Sequence, residues 1–277
     1  MKRLKIMGVC VMAVCTVGLI TGGAASATTY ELTGLPELGR CVKLPIKTGQ
    51  YKYKNCVVKS EGSKGAFEWE PGPGEKPGFV AEAGEVHLET VGGVRIGCAS
   101  GELAGVWTGS KTASVTITFR GCESNNGHGC GVSPAKPTEI TNEESPVEGE
   151  IGFLQQGEKP LVGLDLKPKE GSSELLKFTC GGPPELTFPE LWKIEGSVIG
   201  KFRYVDKPKL TFGLLYQQAN GKQSPQQFEG GVKDTPIANR LTESGTVTEE
   251  AGLTLKEEET RKWIPGLFEE PLEIKAK

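Results

Sequence analysis

The stretch from Val94 to Cys130 constrains the fold of this chain more than any other segment. It begins with a short strand pattern that ends at Cys98, and it continues into a run in which Val115, Ile117 and Phe119 alternate with serine and threonine. Alternation with a period of two is typical of a strand that is buried on one face. The segment therefore predicts antiparallel β-structure braced by cysteines.

Glycine and proline punctuate the whole chain, with 39 glycines and 18 prolines. Runs that lack both and also show the 3.6-residue period of a helix are nearly absent, and such punctuation suits turns between short strands. No repeat of fixed period is present, which disfavours a propeller or a solenoid. The predicted fold class is all-β, an antiparallel β-sandwich or barrel-like fold with disulfides and little helix.

Residues 1–27 read as a secretory signal peptide, with basic residues before an apolar run and Ala25-Ser26-Ala27 behind it. The apolar run from Ile6 to Ile20 is shorter than the roughly 20 residues of a bilayer-spanning helix. A lipoprotein is disfavoured, because Cys15 lies inside the apolar run. We expect cleavage after Ala27 and no membrane span after removal of the signal.

Residues 28–277 are then predicted to form a secreted β-rich domain. At this size a single core stops growing, so a subdivision near 71–78 and 200–210 stays open. The signal contains three basic residues and no acidic ones, which leaves 29 basic and 35 acidic residues in the mature chain, a net charge of −6. This acidic balance argues against nucleic acid as a partner.

Six cysteines remain in the mature chain, and export favours their oxidation to disulfides. Six cysteines allow 15 connectivities. The preferred set joins Cys41 to Cys56 and Cys122 to Cys130, both local, and Cys98 to Cys180 across the core. A zinc site at Cys122, His128 and Cys130 is disfavoured by its spacing. The predicted disulfide residues are Cys41, Cys56, Cys98, Cys122, Cys130 and Cys180.

Two glycine-containing dipeptides predict hairpins with two-residue turns, Gly92-Gly93 and Asn220-Gly221. The string YKYKNCVVK, residues 51–59, predicts a strand with tyrosines on one face and lysines on the other. Further strands are predicted at Leu161–Lys167, with Asp165 facing away from the apolar side, at Glu174–Cys180 and at Lys193–Tyr204. Residues 246–264 mix strand and helix signals, and we favour strand because Gly252 interrupts a helix.

The residues that usually perform catalysis are scarce. The chain has two histidines, His87 on the predicted solvent face of a strand and His128 in a loop. It has no G-x-S-x-G elbow, Walker motif or calcium loop. Two glutamates could serve as the acid and the nucleophile of a glycosidase, but their spacing singles out no pair. Catalytic and ligand-binding residues therefore stay unassigned, and we expect no metal and no cofactor.

Aromatic residues offer the other candidate surface. Tyr51 and Tyr53 with the four tryptophans could form a platform for a carbohydrate or a protein, although core packing is the more common role of each. The four tryptophans are Trp69, Trp107, Trp192 and Trp263.

Several strings resemble a family of uncharacterised secreted all-β proteins that is abundant in soil actinobacteria. They are YKYKNCVVKSEGSKGAFEWEPGP, LETVGGVRIGC, TGSKTASVTITFRGCE, VGLDLKP and FEGGVKD, in chain order. The resemblance implies export and paired cysteines, and it implies no activity or ligand.

The sequence thus predicts a secreted or cell-envelope protein with a non-enzymatic binding or structural role. Its expected partner is a cell-wall glycan or a protein. The alternative is a secreted glycoside hydrolase that uses two glutamates.

Overall fold

The computed structural model describes residues 34–45, 47–75, 77–181, 188–255 and 271–277. These residues form β-strands and one 3₁₀ turn at Glu61–Ser63, and no α-helix occurs among them. The strands are β1 Glu37–Lys43, β2 Phe67–Pro71, β3 Gly78–Ala83, β4 Val86–Thr90, β5 Arg95–Trp107, β6 Thr112–Ser124, β7 Cys130–Gly131, β8 Glu139–Thr141, β9 Val147–Gln155, β10 Leu161–Lys167, β11 Glu174–Cys180, β12 Glu190–Glu195, β13 Val198–Phe202, β14 Leu214–Leu215, β15 Gln217–Ala219, β16 Lys222–Ser224, β17 Ile237–Thr242, β18 Gly245–Leu255 and β19 Glu273–Lys275.

Fourteen of these strands form one antiparallel sheet in the order β14-β13-β10-β9-β6-β5-β4-β18-β17-β12-β11-β7, with β3 added to β5 and β8 added to β6. The sheet curls, because β7 at one end of this order comes back beside β8, where the Val132 N–H donates to the Glu139 carbonyl at 2.9 Å. The apolar side chains of the inner face pack into one core. The prediction of an antiparallel all-β fold with disulfides is confirmed.

A second, three-stranded sheet has the order β19-β1-β2 and joins strands from opposite ends of the sequence. Its Leu38 and Ile274 are fully buried and belong to the core of the large sheet. The Leu38 N–H also donates to the Ser110 carbonyl at 2.7 Å, in the turn between β5 and β6. The small sheet therefore has one apolar face fixed against the large sheet and a second face that points away from it. The remaining two strands, β15 and β16, form a short ribbon.

The longest pairing joins β5 to β6, each of 13 residues. The predicted short strand ending at Cys98 is wrong, since β5 runs on to Trp107 through several glycines. Those glycines accommodate neighbouring side chains: a Cβ at Gly101 would lie 2.8 Å from Val86 Cγ2, and one at Gly105 would lie 2.5 Å from Phe79 Cζ. Glycine in this strand permits close packing, as it often does in strands, rather than marking a turn.

The structure pairs Cys41 with Cys56 as predicted, but the other two predicted pairs are wrong. Cys98 is bonded to Cys122, and Cys130 is bonded to Cys180. Each of these bonds joins directly opposed residues on neighbouring strands, β5 with β6 and β7 with β11. The short spacing of Cys122 and Cys130 favours a disulfide between them. The observed pairs differ because strand register decides which cysteines lie opposite each other.

The two predicted hairpins are present with different turns. Asn220 and Gly221 both have positive φ, 52° and 75°, and β15 and β16 flank them directly, as a two-residue turn requires. At the other hairpin only Gly93 has positive φ, and its N–H donates to the Thr90 carbonyl at 2.9 Å. That loop therefore has three residues, with glycine needed at one position instead of two.

Other local predictions agree in part. Strands Leu161–Lys167 and Glu174–Cys180 have the predicted bounds. The predicted strand Lys193–Tyr204 is divided into β12 and β13 at Gly196, whose φ is +78°. The strand favoured for residues 246–264 is confirmed as far as Leu255, and the rest of it lies outside the described residues. No helix in the described part of the chain is long and apolar enough to cross a bilayer.

Candidate functional site

The most unusual surface of the molecule follows β1 and precedes β2. We call residues 43–64 the lysine-rich loop. They contain six lysines and one acidic residue, Glu61, a net charge of +5. Residues 28–42 and 65–277 together have 23 basic and 34 acidic residues, so positive charge is concentrated in one segment of an acidic sequence. All six lysines are exposed: Lys43, Lys47, Lys52, Lys54, Lys59 and Lys64.

The centre of this loop turns tightly instead of forming the strand predicted for residues 51–59. The Lys52 N–H donates to the Val58 carbonyl at 2.9 Å, and the Cys56 N–H donates to the Tyr53 carbonyl at 3.0 Å. Cys56 has φ of +48° and is bonded to Cys41 on β1. The crosslink and these hydrogen bonds override the strand propensity of the two valines, since propensity is a weak determinant beside tertiary constraints.

The tip of the loop, Tyr53 to Val58, exposes large apolar side chains. Tyr53 is 50% exposed, Val57 60% and Val58 46%, whereas Cys56 beneath them is fully buried. Within the residues that the structure describes, no carboxylate forms an ion pair with any lysine of the loop. The lysine charges are therefore not neutralised by ion pairing inside the described fold.

Buried charges support the loop from below. Glu37, Glu273 and Lys275 lie on the face of the small sheet that points away from the core, and they are 2%, 2% and 6% exposed. The Lys275 ammonium donates to the carbonyl of Cys56 at 2.8 Å. It also lies 4.6 Å from the ring centroid of Tyr51 and 4.5 Å from that of Trp69, within the range of cation–π attraction. One buried cation thus holds the tip through its backbone.

Trp69 closes this buried cluster. Its Nε1 donates to Glu37 Oε1 at 2.7 Å, and its indole lies across Gly39, where a Cβ would come within 2.5 Å of Trp69 Cζ2. The glycine is needed because any larger residue would displace the indole. One buried site therefore contains the Lys275 ammonium, the rings of Tyr51 and Trp69, and the carboxylates of Glu37 and Glu273.

The environment shifts the pKa values in this cluster. Burial raises the pKa of Glu273 to about 7, Lys275 opposes the rise, and Asp206 adds to it. Burial lowers the pKa of Lys275, and the carboxylates of Glu273 and Glu37 oppose that change. Burial also raises the pKa of Tyr51. The charged forms of both Glu273 and Lys275 are therefore less favoured here than in water.

A second buried polar cluster lies in the large sheet. Asp165 faces away from the apolar side of β10 as predicted, yet it is only 3% exposed, and burial raises its pKa to about 6. Tyr216 is fully buried, which raises its pKa, and its ring lies on Gly200. Phe228 covers the outer face nearby, since a Cβ at Gly152 would meet Phe228 Cζ at 2.3 Å. These groups are closed off from solvent, so we assign them to the interior and not to a binding surface.

The two histidines lie on different elements. His87 lies on β4, with its Nε2 3.5 Å from Glu85 Oε2. Its side chain is only 15% exposed, so it is less exposed than a solvent-facing position predicts. His128 lies in the loop between β6 and β7, where its N–H donates to Ser124 Oγ at 3.3 Å. The two cysteines of the disfavoured zinc site both form disulfides, Cys122 with Cys98 and Cys130 with Cys180.

The structure supports core packing for the described tryptophans and not the alternative of an aromatic platform. Trp69, Trp107 and Trp192 are 6%, 6% and 1% exposed and pack in the interior. Trp192 stacks on Phe178 with ring centroids 5.8 Å apart. Trp263 lies outside the described residues. Tyr53 alone among the described candidates is well exposed, and it belongs to the tip of the lysine-rich loop.

The lysine-rich loop is not apparent from the net charge of the whole chain, because the acidic remainder outweighs it. A count over a window of about 20 residues would have found the excess of lysines at 43–64. The buried cluster is not apparent either, since LEIKAK reads as a strand with a solvated charged face. Only the position of Trp69 and the loop over that face makes it an interior.

Comparisons with family models, with curated proteins and with solved structures found no match to this chain.

Proposed function

We propose that this chain is an exported, non-enzymatic binding protein of the cell envelope, and that it attaches to acidic surfaces or polymers through the lysine-rich loop. The observation that carries the proposal is the concentration of six exposed lysines, none ion-paired with a described carboxylate, on a disulfide-fixed loop of an otherwise acidic molecule. The opposite charge of the remaining surface would orient approach to a negatively charged partner. The signal-like N-terminus, three disulfides and resemblance to secreted actinobacterial proteins support the exported location.

The test is binding of the mature chain, residues 28–277, to long-chain polyphosphate and to acidic and neutral wall polysaccharides over a range of salt. We expect saturable binding to the acidic polymers that weakens as salt screens the charges. The variant Lys52→Gln/Lys54→Gln/Lys59→Gln should weaken it at least tenfold.

The matched control is Lys159→Gln/Lys169→Gln/Lys177→Gln, which removes the same charge from exposed positions elsewhere. It should bind like the unmodified chain. Equal losses in the two triple variants would mean that net charge alone governs binding, and the proposal would then fail.

Glycoside hydrolysis is the second and weaker proposal. Among the described glutamates, burial raises the pKa of Glu273 to about 7, and Glu37 lies on the same face of the small sheet. Each is 2% exposed, which leaves no room for a sugar between them. Release of reducing sugar from a wall polysaccharide, abolished by Glu273→Gln, would revive this proposal.

A further inference from the structure

The tip of the lysine-rich loop combines features that a soluble polyanion does not require. Lysines alone would bind a dissolved acidic polymer, but Tyr53, Val57 and Val58 expose apolar surface together at one point. Exposed apolar residues are ordinary when they are scattered, whereas a cluster rimmed by polar residues marks an interaction site. The tip therefore needs a partner with both an apolar and an anionic layer.

We propose that this tip inserts into the interfacial region of an anionic phospholipid bilayer, an inference that rests on the proposed function and specifies its partner. In such a layer the two valines would reach the boundary of the acyl chains, and Tyr53 would lie at headgroup level, where tyrosine is enriched in membrane proteins. The surrounding lysines would meet the lipid phosphates, each basic residue contributing attraction that salt screens.

The charges around the tip match this partner. Lys52 and Lys54 flank Tyr53, and Lys59 follows Val58, so cationic groups border the apolar residues on both sides in sequence. Glu61 is the only carboxylate within the loop. An anionic lipid surface complements this arrangement, whereas a neutral bilayer would leave the lysines without partners.

The tip is also held ready for insertion. The bond from Cys56 to Cys41, the hydrogen bond from Lys52 to Val58 and the hydrogen bond from Lys275 to Cys56 fix its backbone. A loop that is ordered before it binds loses less conformational entropy on binding. The buried support of the loop thus contributes to membrane affinity without touching lipid.

The experiment measures co-sedimentation of the mature chain with vesicles of phosphatidylcholine alone and with added phosphatidylglycerol. We expect binding to the anionic vesicles only, and at least a tenfold loss of affinity for Val57→Ser/Val58→Ser. That variant should keep full affinity for soluble polyphosphate. Lys52→Gln/Lys54→Gln/Lys59→Gln should lose affinity for both vesicles and polyphosphate.

The matched control is Val91→Ser/Val232→Ser, which removes two valines that are 43% and 87% exposed elsewhere. It should bind vesicles normally. A second readout uses Val57→Trp, whose fluorescence should shift to shorter wavelength and be quenched by brominated lipid when the tip enters the bilayer. Unchanged unfolding midpoints for all variants would show that they fold.

The two proposals can fail separately. If the chain binds polyphosphate but not anionic vesicles, or if the Val57/Val58 variant binds vesicles like the control, insertion is overturned and the proposed function stands. If the chain self-associates through the two valines, the partner is a second copy and insertion is again overturned. If it binds neither probe, the proposed function fails as well.

Discussion

Single residues in this protein place ionisable groups where water is scarce, and Glu273 shows the consequence most clearly. A folded pKa of about 7 against an ordinary 4.5 means that the folded state favours the protonated carboxyl. The associated stabilisation is complete below pH 4.5 and is lost as the pH rises through 7. Asp165, with a pKa of about 6, contributes in the same direction.

We therefore expect Glu273→Gln to flatten the dependence of stability on pH between 4.5 and 7. At 1.36 kcal/mol per pKa unit, the change in unfolding free energy across this window is roughly 3 kcal/mol at most. Urea unfolding of variant and unmodified chain at several pH values measures the difference. Glu61→Gln, at an exposed position, is the control, and parallel curves for Glu273→Gln and the unmodified chain would contradict the pKa shift.

Lys275 is the second residue with a sharp expectation. Its replacement by methionine should lower the free energy of unfolding by about 3 to 5 kcal/mol, because removing one partner leaves buried charges uncompensated. The double variant Lys275→Met/Glu273→Gln should regain part of the loss. Lys177→Met, an exposed substitution, should cost little, and denaturant titration compares the three.

At the scale of elements, the two hairpin turns offer a matched comparison of glycines. Gly93 has φ of +83° with no atom near its Cβ position, whereas a Cβ at Gly221 would lie 2.2 Å from the backbone of Thr90. We expect Gly93→Ala to cost about 1 to 2 kcal/mol from the left-handed backbone alone. Gly221→Ala should cost clearly more, because a backbone cannot move aside as a side-chain end can. Thermal unfolding of both variants measures the two losses of stability. Equal losses would contradict the close approach of Gly221 to the Thr90 backbone.

These elements also show what could be predicted from sequence. The alternation of apolar residues at Leu161–Lys167 predicted the observed strand, although the structure buries both of its faces. The turn at Asn220 and Gly221 was predictable because positive φ at both positions demands those residue types. The pairing of Cys98 with Cys122 was not, because it depends on register between strands 24 residues apart. The lysine-rich loop was mistaken for a strand since its shape depends on a crosslink and on Lys275.

At the scale of the whole molecule, export and oxidation are predictions that one measurement can check. The intact mass of the exported chain should match a start at Thr28, after cleavage behind Ala27, and lie about six daltons below that of the reduced chain. Digestion without reduction should yield the linked pairs Cys41–Cys56, Cys98–Cys122 and Cys130–Cys180. Free thiols, or a Cys122–Cys130 peptide, would contradict the described fold.

The charge of the whole molecule also needs to be considered by region. An acidic net charge disfavours a polyanionic partner, yet residues 43–64 have a net charge of +5 and the acidic excess lies in the rest of the sequence. Net charge describes solubility and long-range behaviour, while binding depends on where the charges lie. The acidic net charge therefore disfavours nucleic acid as a partner of the molecule as a whole, but not as a partner of the lysine-rich loop.

The small sheet pairs β1 with β19, so the buried support of the lysine-rich loop is completed only when the C-terminal strand is present. Lys275 and Cys56, the residues of the supporting hydrogen bond, are 219 positions apart. A chain threaded outward from its N-terminus would deliver the lysines to the exterior long before residue 275 follows. The tip that we propose to enter a bilayer would therefore lack its buried support until the C-terminal strand has been delivered.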